Sequence, residues 1–130
     1  MNLYVADTHA LFWYLTASSR LSDAARAAFD EGVRGEALIY VPAIVLAELY
    51  YLNQKFGHPL DFAEEYVRLE QSGQFVMASL APSDVLSFDQ DSAVPEMHDR
   101  IIVGLARRLS AKCISRDPLI VDSDLVPVVW

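Results

Sequence analysis

Four acidic side chains stand next to apolar segments that are typical of a hydrophobic core. Asp7 and Asp117 each follow a short apolar segment. Glu48 lies within an apolar helical stretch, and Asp99 begins another one. A carboxylate beside a core is costly unless it is paired or binds a cation. One such position is common in proteins, but four in one short chain predict that the carboxylates converge on a metal site.

Each of these positions also has an ordinary structural explanation, and the residue types alone leave both explanations open. Asp7 and Asp99 stand where a carboxylate commonly caps a helix. Asp117 precedes Pro118, which is typical of a turn. We expect Glu48 to face the core, where it would form a buried salt bridge or contact a tyrosine hydroxyl.

A shared carboxylate site would suit a hard divalent cation, because Mg²⁺ and Mn²⁺ prefer oxygen ligands. Such an ion lowers the pKa of a bound water, orients a phosphodiester and neutralises developing charge. This chemistry needs no serine or cysteine nucleophile. A zinc site is not expected, since the chain has a single cysteine and no histidine pair with zinc-ligand spacing. We expect His9 and His98 on the surface or beside the acids.

The apolar segments alternate between short runs typical of strands and longer stretches typical of helices. This alternation predicts one α/β domain over residues 1–130, with a mainly parallel sheet of about five strands flanked by helices. Sites in such sheets form at the carboxyl ends of strands, where Asp7 and Asp117 would lie. The predicted strands are 2–7, 37–41, 74–80, 112–115 and 126–129. The predicted helices are 8–15, 23–34, 43–56, 61–72, 84–90 and 99–110, with Ser22, Asp61 and Ser83 as capping residues.

Composition narrows the class of protein. Hydrophobic residues make up 53% of the chain and charged residues 22%, which is enough for a core. No apolar run reaches membrane length and no secretory signal is visible, so we expect no membrane association. The single Cys113 fits a reducing compartment and predicts a cytoplasmic protein.

The charge distribution gives a mixed indication about nucleic acid. The net charge of −8 argues against indiscriminate binding to nucleic acid. Half of the basic residues nevertheless fall within 100–116, close to Asp99 and Asp117. This segment predicts a basic strip beside the acidic site, suited to an anionic substrate, although a solvated helix face would give the same pattern.

Four short segments around the acids resemble the acidic motifs of the PIN-domain family, specifically the VapC-type toxins of toxin–antitoxin pairs. Val-Ala-Asp-Thr-His-Ala-Leu-Phe-Trp at 5–13 is similar to the first motif, and Val-Leu-Ala-Glu-Leu at 45–49 to the second. His-Asp-Arg-Ile-Ile-Val-Gly-Leu-Ala at 98–106 resembles the third, and Ser-Arg-Asp at 115–117 the fourth. The motifs occur in the family's order, and the resemblance covers essentially the whole chain.

The resemblance implies a PIN fold and an endoribonuclease that depends on Mg²⁺ or Mn²⁺. It implies a catalytic set of Asp7, Glu48, Asp99 and Asp117, with Asp7 and Asp99 as metal ligands. The residues expected to support the acids or contact substrate are Thr8, Ser115, Arg100 and Arg116, with Glu96 as an additional acid. The family also implies a homodimer and a small antitoxin in an apolar groove, which aromatic residues such as Phe12, Trp13, Tyr14, Tyr50 and Tyr51 would line.

Other functions remain open from the sequence. One is a PIN nuclease of RNA maturation or decay that has no antitoxin. Another is a non-catalytic interaction module, in which the carboxylates act only as caps and salt-bridge partners. A phosphoacceptor receiver domain needs adjacent acids after the first strand, and a haloacid-dehalogenase-like phosphatase needs a second Asp two residues after the first. Asp7 is followed by Thr8 and His9, which fits neither class.

Overall fold

A parallel sheet of five strands, in the order β3-β2-β1-β4-β5, lies at the centre of the protein. The computed structural model describes all residues from 1 to 130. The strands are β1 (Asn2–Ala6), β2 (Ala37–Pro42), β3 (Phe75–Ala78), β4 (Lys112–Ile114) and β5 (Val128–Val129). The strand order reverses between β1 and β4, and in open α/β sheets this position forms a crevice at the carboxyl ends of the strands. The predicted fold class is confirmed.

Six α-helices and one 3₁₀ helix connect the strands. The α-helices are α1 (Thr8–Leu15), α2 (Asp23–Val33), α3 (Ala43–Lys55), α4 (Phe62–Gln71), α5 (Met97–Leu109) and α6 (Pro118–Val121). The 3₁₀ helix spans Pro82–Asp91. No helix combines the length and the apolar composition needed to cross a bilayer.

One cluster of 28 buried hydrophobic residues joins the sheet to its helices. Ile39 of β2, Phe29 of α2 and Leu11 of α1 are fully buried in it. Ile102 of α5 and Ile114 of β4 complete the opposite side. Because this core fixes α1 and α5 against the carboxyl end of the sheet, the residues at the start of both helices have defined positions.

The structure differs from the predicted elements at three places. Residues 84–90 form part of a 3₁₀ helix, and its first turn is held by Asp84, which accepts a hydrogen bond from the Ala81 N–H at 2.9 Å. The predicted cap Ser83 is therefore wrong, whereas Ser22 and Asp61 cap α2 and α4 as predicted. Helix α5 begins two residues before Asp99, and the single turn α6 is too short to show an apolar period.

Two adjacent arginines of α5 attach the 3₁₀ helix to the domain. Arg107 forms an ion pair with Asp91, whose side chain is fully buried. Arg108 lies 3.5 Å from the partly exposed Asp84. A buried carboxylate that loses its partner is costly, whereas exposed pairs contribute little.

The substitution Arg107→Ala should therefore lower the free energy of unfolding by about 3 kcal/mol, because it leaves Asp91 buried without a cation. The adjacent substitution Arg108→Ala is the matched control and should cost less than about 1 kcal/mol. Urea denaturation measures both values. Equal losses for the two variants would contradict the assignment of Asp91–Arg107 as the structural pair.

Candidate active site

Asp7 stands at the carboxyl end of β1, where the backbone register brings it beside Ser115. The Asp7 N–H donates to the Ile114 carbonyl at 3.1 Å, which continues the β1–β4 pairing by one residue. The Asp7 carboxylate accepts a hydrogen bond from the Ala10 N–H at 2.8 Å and caps α1. Asp7 and Ser115 are both buried, so the carboxylate is held at a fixed place on the crevice floor.

Asp117 approaches the same place from β4. Its carboxylate accepts from the Leu119 N–H at 2.9 Å and caps α6. Its own N–H donates to the Ser115 hydroxyl at 3.1 Å. Capping and site formation are thus not alternatives for Asp7 and Asp117, because in each case one carboxylate both caps a helix and faces the crevice.

Glu48 enters from α3 and is less buried than predicted. Its side chain is 32% exposed, so the expectation of a core-facing carboxylate is wrong. The Thr8 hydroxyl donates to Glu48 Oε1 at 2.8 Å, and His98 Nε2 lies 3.7 Å from Oε2. No tyrosine hydroxyl, lysine or arginine pairs with Glu48, because its face of α3 lines a cavity instead of packing on the core.

Asp99 lies in the first turn of α5 and does not cap it. The N-cap residue is Glu96, whose side chain makes no capping hydrogen bond. Asp99 is 6% exposed. His98 Nε2 is 2.6 Å from Glu96 Oε2, and ligand atoms of Glu96, His98 and Asp99 lie within 4.8 Å of one another. The position of His98 next to Asp99 in the sequence was the available signal that it would join this cluster.

These residues border one cavity of about 460 Å³. Its lining includes all four carboxylates that the sequence singled out, together with Thr8, Glu96 and Arg116. Ser115 lies behind the lining and contacts it through Asp7 and Asp117. The lining also contains residues that the predicted set omitted: His9, Trp13, Arg20, Phe56, His98, Ile102, Pro118 and Trp130.

The basic segment 100–116 does not form a continuous strip beside this cavity. Arg100 donates to the carbonyls of Val94 and Phe88 at 2.7 and 3.4 Å and is not in the lining. Arg107 and Arg108 hold the 3₁₀ helix. Of the five basic residues in the segment, only Arg116 reaches the cavity. The prediction of a basic strip beside the acids is therefore wrong, and so is the prediction that Arg100 lies there.

The crowded carboxylates perturb one another. The pKa of Asp7 is raised to about 6, with burial as the largest cause. The charges of Asp117 and Glu48 also raise it, and hydrogen bonds from Ser115 and the Ala10 N–H oppose the rise. Burial also raises the pKa of Asp99 to about 6, and Asp117 adds to this effect. Neither carboxylate pairs with a lysine or arginine. Carboxylates that stay close together without such partners suit a divalent cation.

The donor set fits a hard divalent cation. Asp7 and Asp99 supply buried carboxylate oxygens, and Glu48 and Asp117 supply oxygens that are more exposed. Glu96 and His98 add a further oxygen and a nitrogen near Asp99. Oxygen-rich sets of this kind suit Mg²⁺ and Mn²⁺, and an imidazole nitrogen is compatible with the transition metal.

The comparisons with known proteins agree with this architecture. The sequence matches the PIN domain over residues 4–122, so the chain belongs to the PIN-domain family. VapBC2 from Rickettsia felis, solved with a DNA fragment from their promoter, has a TM-score of 0.68 at 13% identity, and the match covers 97% of this chain and 96% of that chain.

Two further structures share the fold. FitAcB from Neisseria gonorrhoeae has a TM-score of 0.62 at 19% identity, covering 96% and 95% of the two chains. FitAB bound to an IR36 DNA fragment has a TM-score of 0.62 at 17% identity, covering 96% and 92%. No curated protein matches the chain significantly in sequence. At these identities the likeness to solved structures concerns the fold.

The raised pKa of Asp99 makes a prediction about stability and pH. A folded-state pKa above the unfolded value gives stability that is present at low pH and is lost as pH rises through the folded pKa. At pH 7 and without metal, Asp99→Asn should therefore stabilise the protein, by about 1 kcal/mol after allowance for solvent screening. The gain should fall steadily as the pH is lowered through 6 and should be small at pH 4, close to the unfolded-state pKa of 3.8.

Thermal melts of both proteins in chelator, from pH 4 to pH 7.5, measure this difference. Added Mn²⁺ should raise the melting temperature of the wild type more than that of Asp99→Asn, by mass action on the folded state. A variant that is less stable than the wild type at pH 7, with no response of either protein to metal, would contradict a shared charged site.

Proposed function

We propose that this protein is a metal-dependent endoribonuclease that hydrolyses RNA phosphodiester bonds, and that it is the toxin of a toxin–antitoxin pair. One observation carries the catalytic part of the proposal. Four carboxylates reach one cavity from four different parts of the chain, and no lysine or arginine forms an ion pair with any of them. Such an arrangement destabilises the protein unless a cation binds there. Membership in the PIN family, whose members are nucleases, supports the same reaction.

In this proposal Asp7 and Asp99 hold Mg²⁺ or Mn²⁺, because they are the most buried of the four acids. The bound ion supplies Lewis-acid stabilisation of the phosphate and lowers the pKa of the attacking water. Glu48 and Asp117 are more exposed and would accept hydrogen bonds from a water molecule in the cavity. Thr8 fixes the rotamer of Glu48, and Ser115 fixes Asp7 relative to Asp117.

The remaining cavity residues have supporting roles in the proposal. Arg116 lies on the rim, where a guanidinium offsets the charge of a phosphate that enters a strongly acidic cavity. His98 lies between Glu96 and Glu48 and keeps both carboxylates near Asp99. Glu96 is half exposed. In the proposal it supports the site through its contact with His98 and does not form part of the crevice floor.

The toxin assignment rests on relatives and on surface chemistry. The structures of similar fold are named as VapBC2 and FitAB complexes, which are two-component assemblies. Tyr50 and Tyr51 of α3 are 44% and 69% exposed and give an aromatic surface for an antitoxin or a second copy. Phe12 and Trp13 are mostly buried but line a small cavity beside the acidic one, whereas Tyr14 stacks on Phe29 and lines neither cavity. A nuclease of RNA decay without an antitoxin would have the same catalytic cavity.

The catalytic proposal predicts RNA cleavage that requires both metal and the buried acids. Purified protein should cleave a single-stranded RNA in Mg²⁺ or Mn²⁺ and should be inactive in chelator. Asp99→Asn and Glu48→Gln should each lower the cleavage rate about 100-fold or more, because each removes charge that stabilises the transition state. Gel analysis of a labelled RNA under single-turnover conditions measures the rates.

Two comparisons separate catalysis from folding in this experiment. The glutamine of Glu48→Gln can still accept the Thr8 hydrogen bond, so its melting temperature should stay close to that of the wild type. Asp122→Asn removes an exposed charge five positions after Asp117 and should leave the rate unchanged. Cleavage that persists in chelator, or an equal loss in Asp122→Asn, would overturn the proposed mechanism.

A further inference from the structure

A second cavity adjoins the acidic one and differs from it in chemistry. It has a volume of about 320 Å³ and shares Trp13, Arg20 and Phe56 with the first cavity. Its other lining residues are Phe12, Thr16, Ser18 and Pro59, so it contains no carboxylate. The two cavities therefore form one trough, which is acidic at one end and aromatic at the other.

The aromatic end presents an exposed phenylalanine. Phe56 is 56% exposed at the end of α3, which is unusual for a phenylalanine. Its ring stacks on the buried Phe12, with centroids 5.7 Å apart and an angle of 29° between the planes. The amine of Lys55 lies 5.7 Å from the same ring. These contacts hold the Phe56 ring in place while more than half of the residue stays exposed.

The same trough collects the arginines that the fold leaves without partners. Six of the eight arginines donate side-chain hydrogen bonds or form ion pairs, namely Arg26, Arg34, Arg68, Arg100, Arg107 and Arg108. The remaining two, Arg20 and Arg116, both line the acidic cavity, and Arg20 also lines the aromatic one. Arg116 lies over Trp13 at 4.4 Å, which limits its motion while its charge stays exposed.

We propose that the aromatic cavity binds a nucleobase of single-stranded RNA next to the bond that is cut, with Arg20 and Arg116 holding the flanking phosphates. The inference rests on the proposed nuclease function and names its substrate class. A base paired in a duplex cannot place its face on Phe56, so the cavity selects unpaired strands. Any base can stack on an aromatic ring, and the two arginines contact the RNA backbone. The site therefore distinguishes single strands from duplexes better than it distinguishes base sequences.

This placement accounts for how so acidic a protein binds RNA. Arg20 and Arg116, which form no ion pair, lie in the lining that the strand would contact. A peptide segment of a partner protein is the other occupant with matching apolar chemistry. Two arginines without ion pairs in the lining favour a phosphodiester strand, because such a strand carries phosphates next to its bases.

Binding measured without cleavage tests the proposal. All variants are made in Asp99→Asn protein with Mg²⁺ present, and the probe is a fluorescein-labelled single-stranded RNA octamer, read by anisotropy at several salt concentrations. Phe56→Leu, which keeps an apolar side chain but removes the ring, should weaken binding roughly tenfold without changing the salt dependence. Arg20→Ala and Arg116→Ala should each weaken binding and lower the salt slope by about 0.7.

The matched controls are an exposed aromatic residue and a paired arginine outside the trough. Tyr66→Ala on α4 and Arg34→Ala, whose side chain pairs with Glu36, should leave the affinity and the slope unchanged. The same octamer in a duplex should bind more weakly than the single strand. Full affinity in Phe56→Leu, equal affinity for the duplex, or an equal loss in Tyr66→Ala would overturn the proposal.

Two further outcomes distinguish failure of the nucleobase site from failure of the proposed nuclease function. If Phe56→Leu binds RNA normally but no longer captures the protein encoded beside this one, the cavity is a protein-docking site and the proposal is wrong. If RNA binding depends on Phe56 and the arginines while the wild type cleaves no RNA, the nucleobase site stands and the nuclease function fails.

Discussion

Crowding of negative charge at the carboxyl edge of the sheet is the constraint on which this structure depends. Asp7, Glu48, Asp99 and Asp117 face one cavity, and neither Arg20 nor Arg116, which also line it, forms an ion pair with any of them. Burial and mutual repulsion raise the pKa of Asp7 and of Asp99 to about 6. The rest of the fold holds these carboxylates together against that repulsion. Such an arrangement is expected of a site that becomes stable when a cation binds.

The backbone holds the carboxylates through contacts that also build the fold. The β1–β4 register places Asp7 beside Ser115, and Asp7 and Asp117 are fixed because they cap α1 and α6. Helix α5 is attached to the 3₁₀ helix through Arg107 and the buried Asp91, and this attachment sets the place of Asp99. Glu48 and Asp99 cap no helix, so their removal should disturb function more than folding, whereas the Asp91–Arg107 pair belongs to folding.

The sequence predicted the features that depend on local pattern. Alternating apolar segments were sufficient for the parallel α/β sheet. The position of each acid beside an apolar segment, together with the family resemblance, selected four carboxylates that line one cavity. The exposure of Glu48 and the partners of Arg100, Arg107 and Arg108 depend on how distant segments pack, and the sequence holds no local signal for them. The same reason explains why Arg20 and Phe56, from separate loops, were not expected beside the acids.

The central claim is that the four carboxylates build one site for a divalent cation, with Asp7 and Asp99 as its ligands. A crystal of the protein soaked in Mn²⁺ and measured at the manganese absorption edge tests it most directly, because anomalous scattering locates the ion without reference to activity. The account predicts a strong peak bound by Asp7 and Asp99 in the wild type and its loss in crystals of Asp99→Asn. An empty cavity in the wild type at saturating Mn²⁺, or a peak that stays in the variant, would contradict the shared site.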